Sequence, residues 1–298
     1  MRILLLGKGG QLGWEMQRSL SPMGEVIALD FDSADHCADF TQPQGVAATI
    51  RQIAPDVVVN AAAHTAVDKA ESEVDLVRTI NATTPAVIAQ EVQRLGAWML
   101  HYSTDYVFDG SGTRPWLETD HPGPINVYGQ TKLEAEQAIA QSGCKHLIFR
   151  TSWVFAARGG NFAKTMLRLA QEREHLTVID DQFGAPTSAE LLADISVLAL
   201  RQALHRPQDA GLYHMVAAGE TNWWAYASHV IQTARRLRPD LPIKVNSIAP
   251  VPSSAYPTPA RRPHNSRLNT SKLQNTFDLH LPDWTVGVDR MLSETLHH

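Results

Sequence analysis

Apolar and polar positions fall into alternating blocks along the first hundred residues. Arg2–Leu6 is a short, unbroken apolar run, which predicts a strand buried on both faces. It ends in Gly7-Lys8-Gly9-Gly10-Gln11-Leu12-Gly13. Trp14, Met16 and Leu20 are then spaced for a helix over Trp14–Leu20. Strands are predicted at Glu25–Asp30, Asp56–Asn60 and Trp98–Ser103, with helical patterns at Val46–Ile53 and Val74–Leu95 between them. Pro55 closes the first of these helices. Strands alternating with helices predict an α/β fold whose parallel sheet carries helices on both faces.

Beyond residue 105 the pattern loosens. Gly110–Pro124 reads as a loop, Val127–Ser142 as a helix and His146–Phe155 as a strand. Helices at Phe162–Glu172, Ala189–Leu204 and Trp223–Arg236 follow, with strands at Leu176–Ile179 and Gly211–Val216. The second of these strands is expected to return to the sheet. The Pro-rich segment Pro250–Pro263 belongs to none of these elements. The expected organisation is a doubly wound sheet, built from 1–155 plus about 189–219. A smaller, discontinuous substrate domain, about 156–188 plus 220–298, folds over its mouth.

Composition narrows the class without naming a function. Over 298 residues, 44% hydrophobic and 19% charged content suits a soluble globular enzyme and is too apolar for disorder. The net charge of −5 argues against binding to nucleic acid or an anionic membrane. It leaves room for a phosphorylated ligand held by backbone N–H groups and a few arginines. Cys37 and Cys144 make no disulfide framework and have no metal-site spacing. The run at Ile3–Leu6 is too short for a signal-peptide core, and no stretch approaches a membrane span. A cytoplasmic protein is expected.

The glycine turn is the first candidate site. Gly7, Gly10 and Gly13 follow a predicted strand and precede a predicted helix, where backbone N–H groups can face a pyrophosphate. Asp30, 17 residues after Gly13 at the end of the second strand, stands where an acid accepts ribose hydroxyls. An acid there favours NADH over NADPH, while Lys8 in the turn offsets that preference, so coenzyme choice stays open. Asp39-Phe40 offers a carboxylate and a ring to flank an adenine. Asn60-Ala61-Ala62-Ala63-His64 closes the third strand with small residues that permit close approach.

Tyr128 and Lys132 stand four residues apart near a helix start, on one face. A nearby ammonium lowers a phenol's pKa and fits the tyrosine to donate or accept a proton near neutral pH. Lys132 can also hold a ribose, and Thr104 supplies a hydroxyl to a reacting carbonyl. Gly7-x-x-Gly10-x-x-Gly13, Asn60-Ala61-Ala62, Thr104 and Tyr128-x-x-x-Lys132 together resemble the extended short-chain dehydrogenase/reductase family. Three longer strings, 101–108, 181–187 and 260–268, resemble its sugar-nucleotide reductases, and the likeness spans essentially the whole chain.

That resemblance implies hydride transfer from NADH or NADPH to C4 of dTDP-4-dehydro-β-L-rhamnose, giving dTDP-β-L-rhamnose for a bacterial surface polysaccharide. It implies Tyr128 as proton donor, Lys132 as its partner and the ribose holder, and Thr104 as the group that orients the carbonyl. Gly10-Gln11-Leu12, Asp30, Asp39-Phe40 and Ala62-Ala63-His64 are implied to line the coenzyme. Thr104-Asp105 and Trp153 are implied to meet the sugar nucleotide, and Arg261 and Arg262 offer forked donors to its diphosphate. A homodimer is implied, with Mg²⁺ at Glu15, Glu190 and Glu294 where subunits meet.

Dehydratases of this superfamily carry Asp-Glu after the threonine, whereas Thr104 is followed by Asp105-Tyr106, which argues against dehydration. Two alternatives stay open. One is an epimerase that returns the hydride to its own sugar. The other is a non-catalytic regulatory subunit of the kind that accompanies methionine adenosyltransferase.

Overall fold

The structure, a computed structural model, describes residues 1–296. The chain begins β1 (Arg2–Leu6), α1 (Gln11–Leu20), β2 (Glu25–Leu29), α2 (Pro43–Ile53) and β3 (Val57–Asn60). Next come α3 (Val67–Ala70), α4 (Val74–Arg78), α5 (Thr84–Leu95), β4 (Trp98–Thr104), α6 (Val127–Ser142) and β5 (Lys145–Thr151). Short strands β6 (Val154–Phe155), β8 (Phe183–Gly184) and β9 (Thr187–Ser188) are interleaved with α7 (Phe162–Glu172) and β7 (His175–Ile179). The rest is α8 (Ala189–His205), β10 (Gly211–His214), β11 (Thr221–Asn222), α9 (Trp223–Leu237), β12 (Ser247–Val251), α10 (Ser271–Phe277) and α11 (Trp284–Leu296).

Six strands form one parallel sheet in the order β10-β5-β4-β3-β1-β2. The alternation within β1 explains its continuous hydrophobicity, since both faces are covered. Ile3 and Leu5 pack against α1 and α8, while Leu4 and Leu6 pack against α2 and α5. Connections leave β1 toward β2 on one side, and β3 is the neighbour on the other. Ligands of such sheets bind at this switch point, beyond the carboxyl ends of the strands. Among the described residues no helix is long and apolar enough to cross a membrane.

Gly211–His214 joins the sheet beside β5, as its apolar pattern predicts. Two other expectations are modified. The helical stretch from Val74 to Leu95 contains a π turn at Thr79–Thr83. Pro85 follows it, lacks an N–H and would crowd the carbonyl four residues earlier, so the backbone widens there. The expected strand His146–Phe155 divides at Trp153, whose φ of +49° lies in the left-handed region. Its last two residues, Val154–Phe155, leave the sheet and pair with β9 instead.

A second core forms around Phe155, α7, α9 and α11, with Phe155, Tyr226 and Val288 fully buried or nearly so. It lies outside the helices that flank the sheet. Leu273, Phe277 and Leu281, in and after α10, pack into the sheet's own core against α8 and β10.

Candidate active site

The glycine turn is set by close contacts. Gly7 has φ +89°, and a Cβ there would stand 2.7 Å from the Ala62 nitrogen, so β1 and the turn after β3 meet backbone to backbone. A Cβ on Gly13 would lie 1.9 Å from the Gly7 carbonyl oxygen. Gly10 differs, because its missing Cβ faces open space with only the Gly7 oxygen at 3.6 Å. Gly10 caps α1 with no side-chain bond, which leaves the helix's first N–H groups free. The Gln11 side-chain oxygen is buried nearby without a partner. A cradle of this shape, at a helix N-terminus, fits a dinucleotide pyrophosphate.

Asp30 accepts hydrogen bonds from the Gly9 and Phe31 backbone N–H groups, at 2.7 and 2.9 Å, and so anchors the turn. Asp39 accepts from Thr41 and Gln42, which holds its carboxyl below the usual range. Phe40 is buried in the core, while Phe31 beside Asp30 is exposed. His64 exchanges backbone bonds with the Asn81 side chain at 2.8 and 3.0 Å, fixing the turn that holds Ala62 and Ala63.

Asn126 caps α6 by accepting from the Gly129 N–H at 2.8 Å, and its amide donates to the Arg261 carbonyl at 2.8 Å. The start of α6 is thus tied to the arginine loop. A Cβ on Gly129 would lie 2.1 Å from the Tyr106 carbonyl oxygen. This close approach sets Tyr128 against the turn after β4. The Tyr106 and Tyr128 rings meet edge to face at 5.8 Å. Thr104 donates to Asp105 at 3.0 Å and accepts from the Tyr106 N–H at 3.1 Å. The Ser103 hydroxyl and the Asp105 Oδ2 are buried without partners.

Burial governs the titration of this cluster. It pushes Tyr128 up to about 12, aided by the Asp105 charge and opposed by the Thr104 hydroxyl. The expected lowering of Tyr128 by Lys132 is therefore overridden, because a buried phenolate loses its hydration. Burial also pushes Asp105 up to about 7 and Lys132 down to about 8. Lys132 contacts His101 Nε2 at 3.4 Å. Tyr128 is thus held as a phenol, the form a proton donor needs.

Beyond Tyr106 a cavity of about 270 Å³ opens between the sheet and the second core, lined by Phe162, Thr177, Gln182, Trp223, Tyr256 and Arg262 among others. Trp153 stacks on Trp223 with ring centroids 3.8 Å apart, and Trp223 donates to Gln182 at 3.1 Å. Arg262 lines the cavity and pairs in a fork with Asp68, while Arg261 is exposed. The cavity reaches Tyr128 only through Tyr106, whose ring meets it edge to face.

These features are those of a coenzyme-dependent carbonyl reductase, and the chain matches the family described as RmlD substrate binding domain over residues 1–297. The chain belongs to this family. It is 61% identical over 294 residues to a dTDP-4-dehydrorhamnose reductase of Escherichia coli (strain K12), covering 99% of this chain and 98% of that protein. It is 45% identical over 300 residues to one of Burkholderia thailandensis, covering 99% of each. A crystal structure of dTDP-4-dehydrorhamnose reductase from Bacillus anthracis in complex with NADP superposes with a TM-score of 0.87 at 33% identity, over 99% of each chain. Tyr128 lies against Thr104, while Lys132 Nζ contacts His101.

The metal expectation finds less support. The charges of Glu15 and Glu294 both act on Glu190, so the three face one region. Each is engaged by arginine, Glu15 with Arg18 at 3.5 Å, Glu190 and Glu294 with Arg290 at 3.3 and 3.1 Å. Among the described residues no three carboxylate, histidine or cysteine side chains form a metal-holding group. One chain alone therefore does not assemble a magnesium site from Glu15, Glu190 and Glu294, and the expectation of an ion between subunits concerns a second copy.

Sequence reasoning missed Tyr106, Gln182, Trp223, Tyr256, Asp68 and His101. His101 left a signal as a polar residue inside a fully buried strand, and Tyr106 and Gln182 lie in the strings 101–108 and 181–187 that carry the family resemblance.

Proposed function

We propose that this protein reduces the C4 keto group of dTDP-4-dehydro-β-L-rhamnose to give dTDP-β-L-rhamnose, using NADH or NADPH, in rhamnose supply for a bacterial surface polysaccharide. One observation carries the reading. A buried, protonated Tyr128 lies against Thr104, and its ring meets edge-on that of Tyr106, which lines the cavity of Trp223 and Arg262. The named relatives support the substrate, and the NADP complex of the Bacillus anthracis relative supports the coenzyme class.

A reduced nicotinamide, when bound, supplies the hydride. Gly10 and the free N-terminus of α1 bind the pyrophosphate, and Asp30 meets a ribose hydroxyl. Lys132 holds the nicotinamide ribose. Thr104 and Tyr128 both donate hydrogen bonds to the C4 oxygen, which draws the keto sugar into register. As negative charge grows on that oxygen, the Tyr128 phenol transfers its proton and the hydroxyl forms. Trp153 and Trp223 provide an aromatic platform, and Arg262 provides a cation for the diphosphate. The stretch 1–155 plus about 189–219 binds the coenzyme, and about 156–188 plus 220–298, apart from the α10 region that packs on the sheet, binds the sugar nucleotide. A cytoplasmic homodimer is the expected form, checked by mass in solution.

The test is direct. Purified protein given dTDP-4-dehydrorhamnose should consume one NADH or NADPH per dTDP-rhamnose released. Turnover of a sugar nucleotide with no net coenzyme loss would instead mark an epimerase. No turnover with either coenzyme, together with co-purification of a synthetase, would mark a regulatory subunit.

A further inference from the structure

Three buried polar side chains connect the coenzyme turn to Lys132. Asn60 ends β3, His101 lies opposite it in β4, and Lys132 faces them from α6. Their residues are 1%, 1% and 2% exposed. The Ala62 N–H donates to Asn60 Oδ1 at 3.0 Å, which fixes the orientation of the Asn60 amide. Asn60 Nδ2 must then point at His101 Nδ1, 3.1 Å away. An amide NH₂ can only donate, so Nδ1 must be the unprotonated nitrogen. The neutral ring then carries its proton on Nε2, and Nε2 faces Lys132 Nζ at 3.4 Å.

The opposite assignment fails at two places. A proton on Nδ1 would confront the Asn60 NH₂, and turning the amide over would confront the Ala62 N–H. A doubly protonated ring is disfavoured by burial first, then by Lys132 and His146. An ammonium at Lys132 therefore finds an N–H where it needs a lone pair, whereas the free amine can accept from it.

We infer that Asn60 and His101 form a tautomer lock that presents an N–H to Lys132 and couples coenzyme binding to proton uptake at Lys132. This rests on the reading of Lys132 as the ribose-holding residue. Ribose hydroxyls held by Lys132 would offer acceptors to Nζ and favour the ammonium. Glu136 is the one charge that raises Lys132 beforehand, and burial outweighs it. Glu136, one turn further on, is forked to Arg150 at 2.9 and 2.6 Å. Tyr128, one turn back, is an un-ionised phenol. Asn60 and His101 are positioning residues, since they act through Lys132.

Two measurements on the full-length protein test this. The ¹⁵N shifts of the His101 ring, assigned by difference from His101→Gln, should show a protonated Nε2 and an unprotonated Nδ1 in coenzyme-free protein. A protonated Nδ1 overturns the lock whether or not the protein is a reductase. Calorimetry of NADPH binding at pH 8, in buffers of different ionisation enthalpy, should show uptake of roughly half a proton per site, because burial pushes Lys132 down to about 8. Asn60→Asp supplies an acceptor to Nδ1–H, inverts the tautomer and should reduce the uptake to near zero. His101→Gln can turn its carbonyl to Lys132 and should do the same, which covers a failure of Asn60→Asp to fold. Uptake unchanged in a folded variant, or absent from the parent protein, overturns the coupling. Failure of NADPH to bind at all counts against the reductase reading and leaves the ring assignment to decide the lock.

Discussion

Arg262 grips Asp68 with two guanidinium nitrogens, at 3.0 and 2.8 Å, across 194 positions of the chain. Asp68 belongs to α3, and Arg262 to a loop that lines the cavity. The Arg261 carbonyl, one residue away, is held by the Asn126 cap of α6. The loop is thus pinned at both sides of the mouth.

Asp68→Asn should loosen this loop and raise the KM for the sugar nucleotide roughly five-fold with little change in kcat. The pair is partly exposed, so an effect near 1 kcal/mol is expected and the larger value of a buried pair is not. Steady-state kinetics with saturating coenzyme checks it. A kcat loss with unchanged KM would mean that Arg262 acts on the reaction itself.

Tyr128→Phe should lower turnover by roughly 10²–10⁴ while coenzyme affinity stays within a few-fold. The phenol is pushed up to about 12, so it keeps its proton throughout the neutral range. A fall in kcat/KM for coenzyme as pH rises through about 8 then belongs to Lys132 losing its proton. The residual activity of Tyr128→Phe should keep that same limb. Its disappearance would assign the limb to Tyr128.

Asp105→Asn should separate stability from activity. Burial raises the Asp105 carboxyl to about 7, against an ordinary value near 4 in the unfolded chain. The folded state therefore holds this proton more tightly, and the group favours folding at low pH. Its contribution is lost as pH rises from about 4 through about 7, by at most about 1.4 kcal/mol per unit. The variant should gain melting temperature over the parent at pH 8 but not at pH 4, and should turn over more slowly. An equal shift at both values would rule out ionisation as the cause.

Much of the sheet was legible because β1 and β3 are buried on both faces and read as short apolar runs, and β4 opens with one at Trp98–Leu100. The coenzyme turn was legible because close backbone approach demands glycine, and Gly7 and Gly13 are there for that reason. Trp153 shows the limit. Thr151-Ser152-Trp153-Val154-Phe155 has the composition of a strand, and its break depends on a left-handed backbone held by stacking on Trp223, 70 positions away. The cavity was illegible for the same cause, since Tyr106, Gln182 and Tyr256 come together only when the second core folds. The pKa of Tyr128 was misjudged because spacing shows a lysine neighbour but not the depth of burial.

Gly184→Ala should disturb the platform that Trp153 makes. The added Cβ would stand 3.0 Å from the indole and 3.2 Å from Ser266 Cβ. Overpacking of this kind costs about 1–3 kcal/mol, and the indole is the neighbour that must yield. Thermal unfolding should show the stability loss, and the KM for the sugar nucleotide should rise. A stability loss with unchanged KM would place Trp153 outside the substrate's reach.

Gly10→Ala and Gly13→Ala should fail in different ways, though they sit in one turn. At Gly13 the new methyl would meet the Gly7 carbonyl at 1.9 Å, backbone against backbone, and neither α1 nor β1 can retreat without breaking its packing. That variant should lose several kcal/mol of stability, on the order of the largest point-mutant effects. At Gly10 the nearest atom is 3.6 Å away, and φ −68° with ψ 166° suits alanine. Its melting temperature should move little without coenzyme. The methyl would, however, occupy the space above the free N–H groups of α1, where the pyrophosphate must come within hydrogen-bond distance. Coenzyme affinity should fall at least roughly ten-fold, the effect of losing about one charged hydrogen bond, and the thermal shift that NADPH gives the parent should shrink with it. A Gly10→Ala protein that binds NADPH normally would place the pyrophosphate elsewhere, and the role given to the glycine cradle would fall with it.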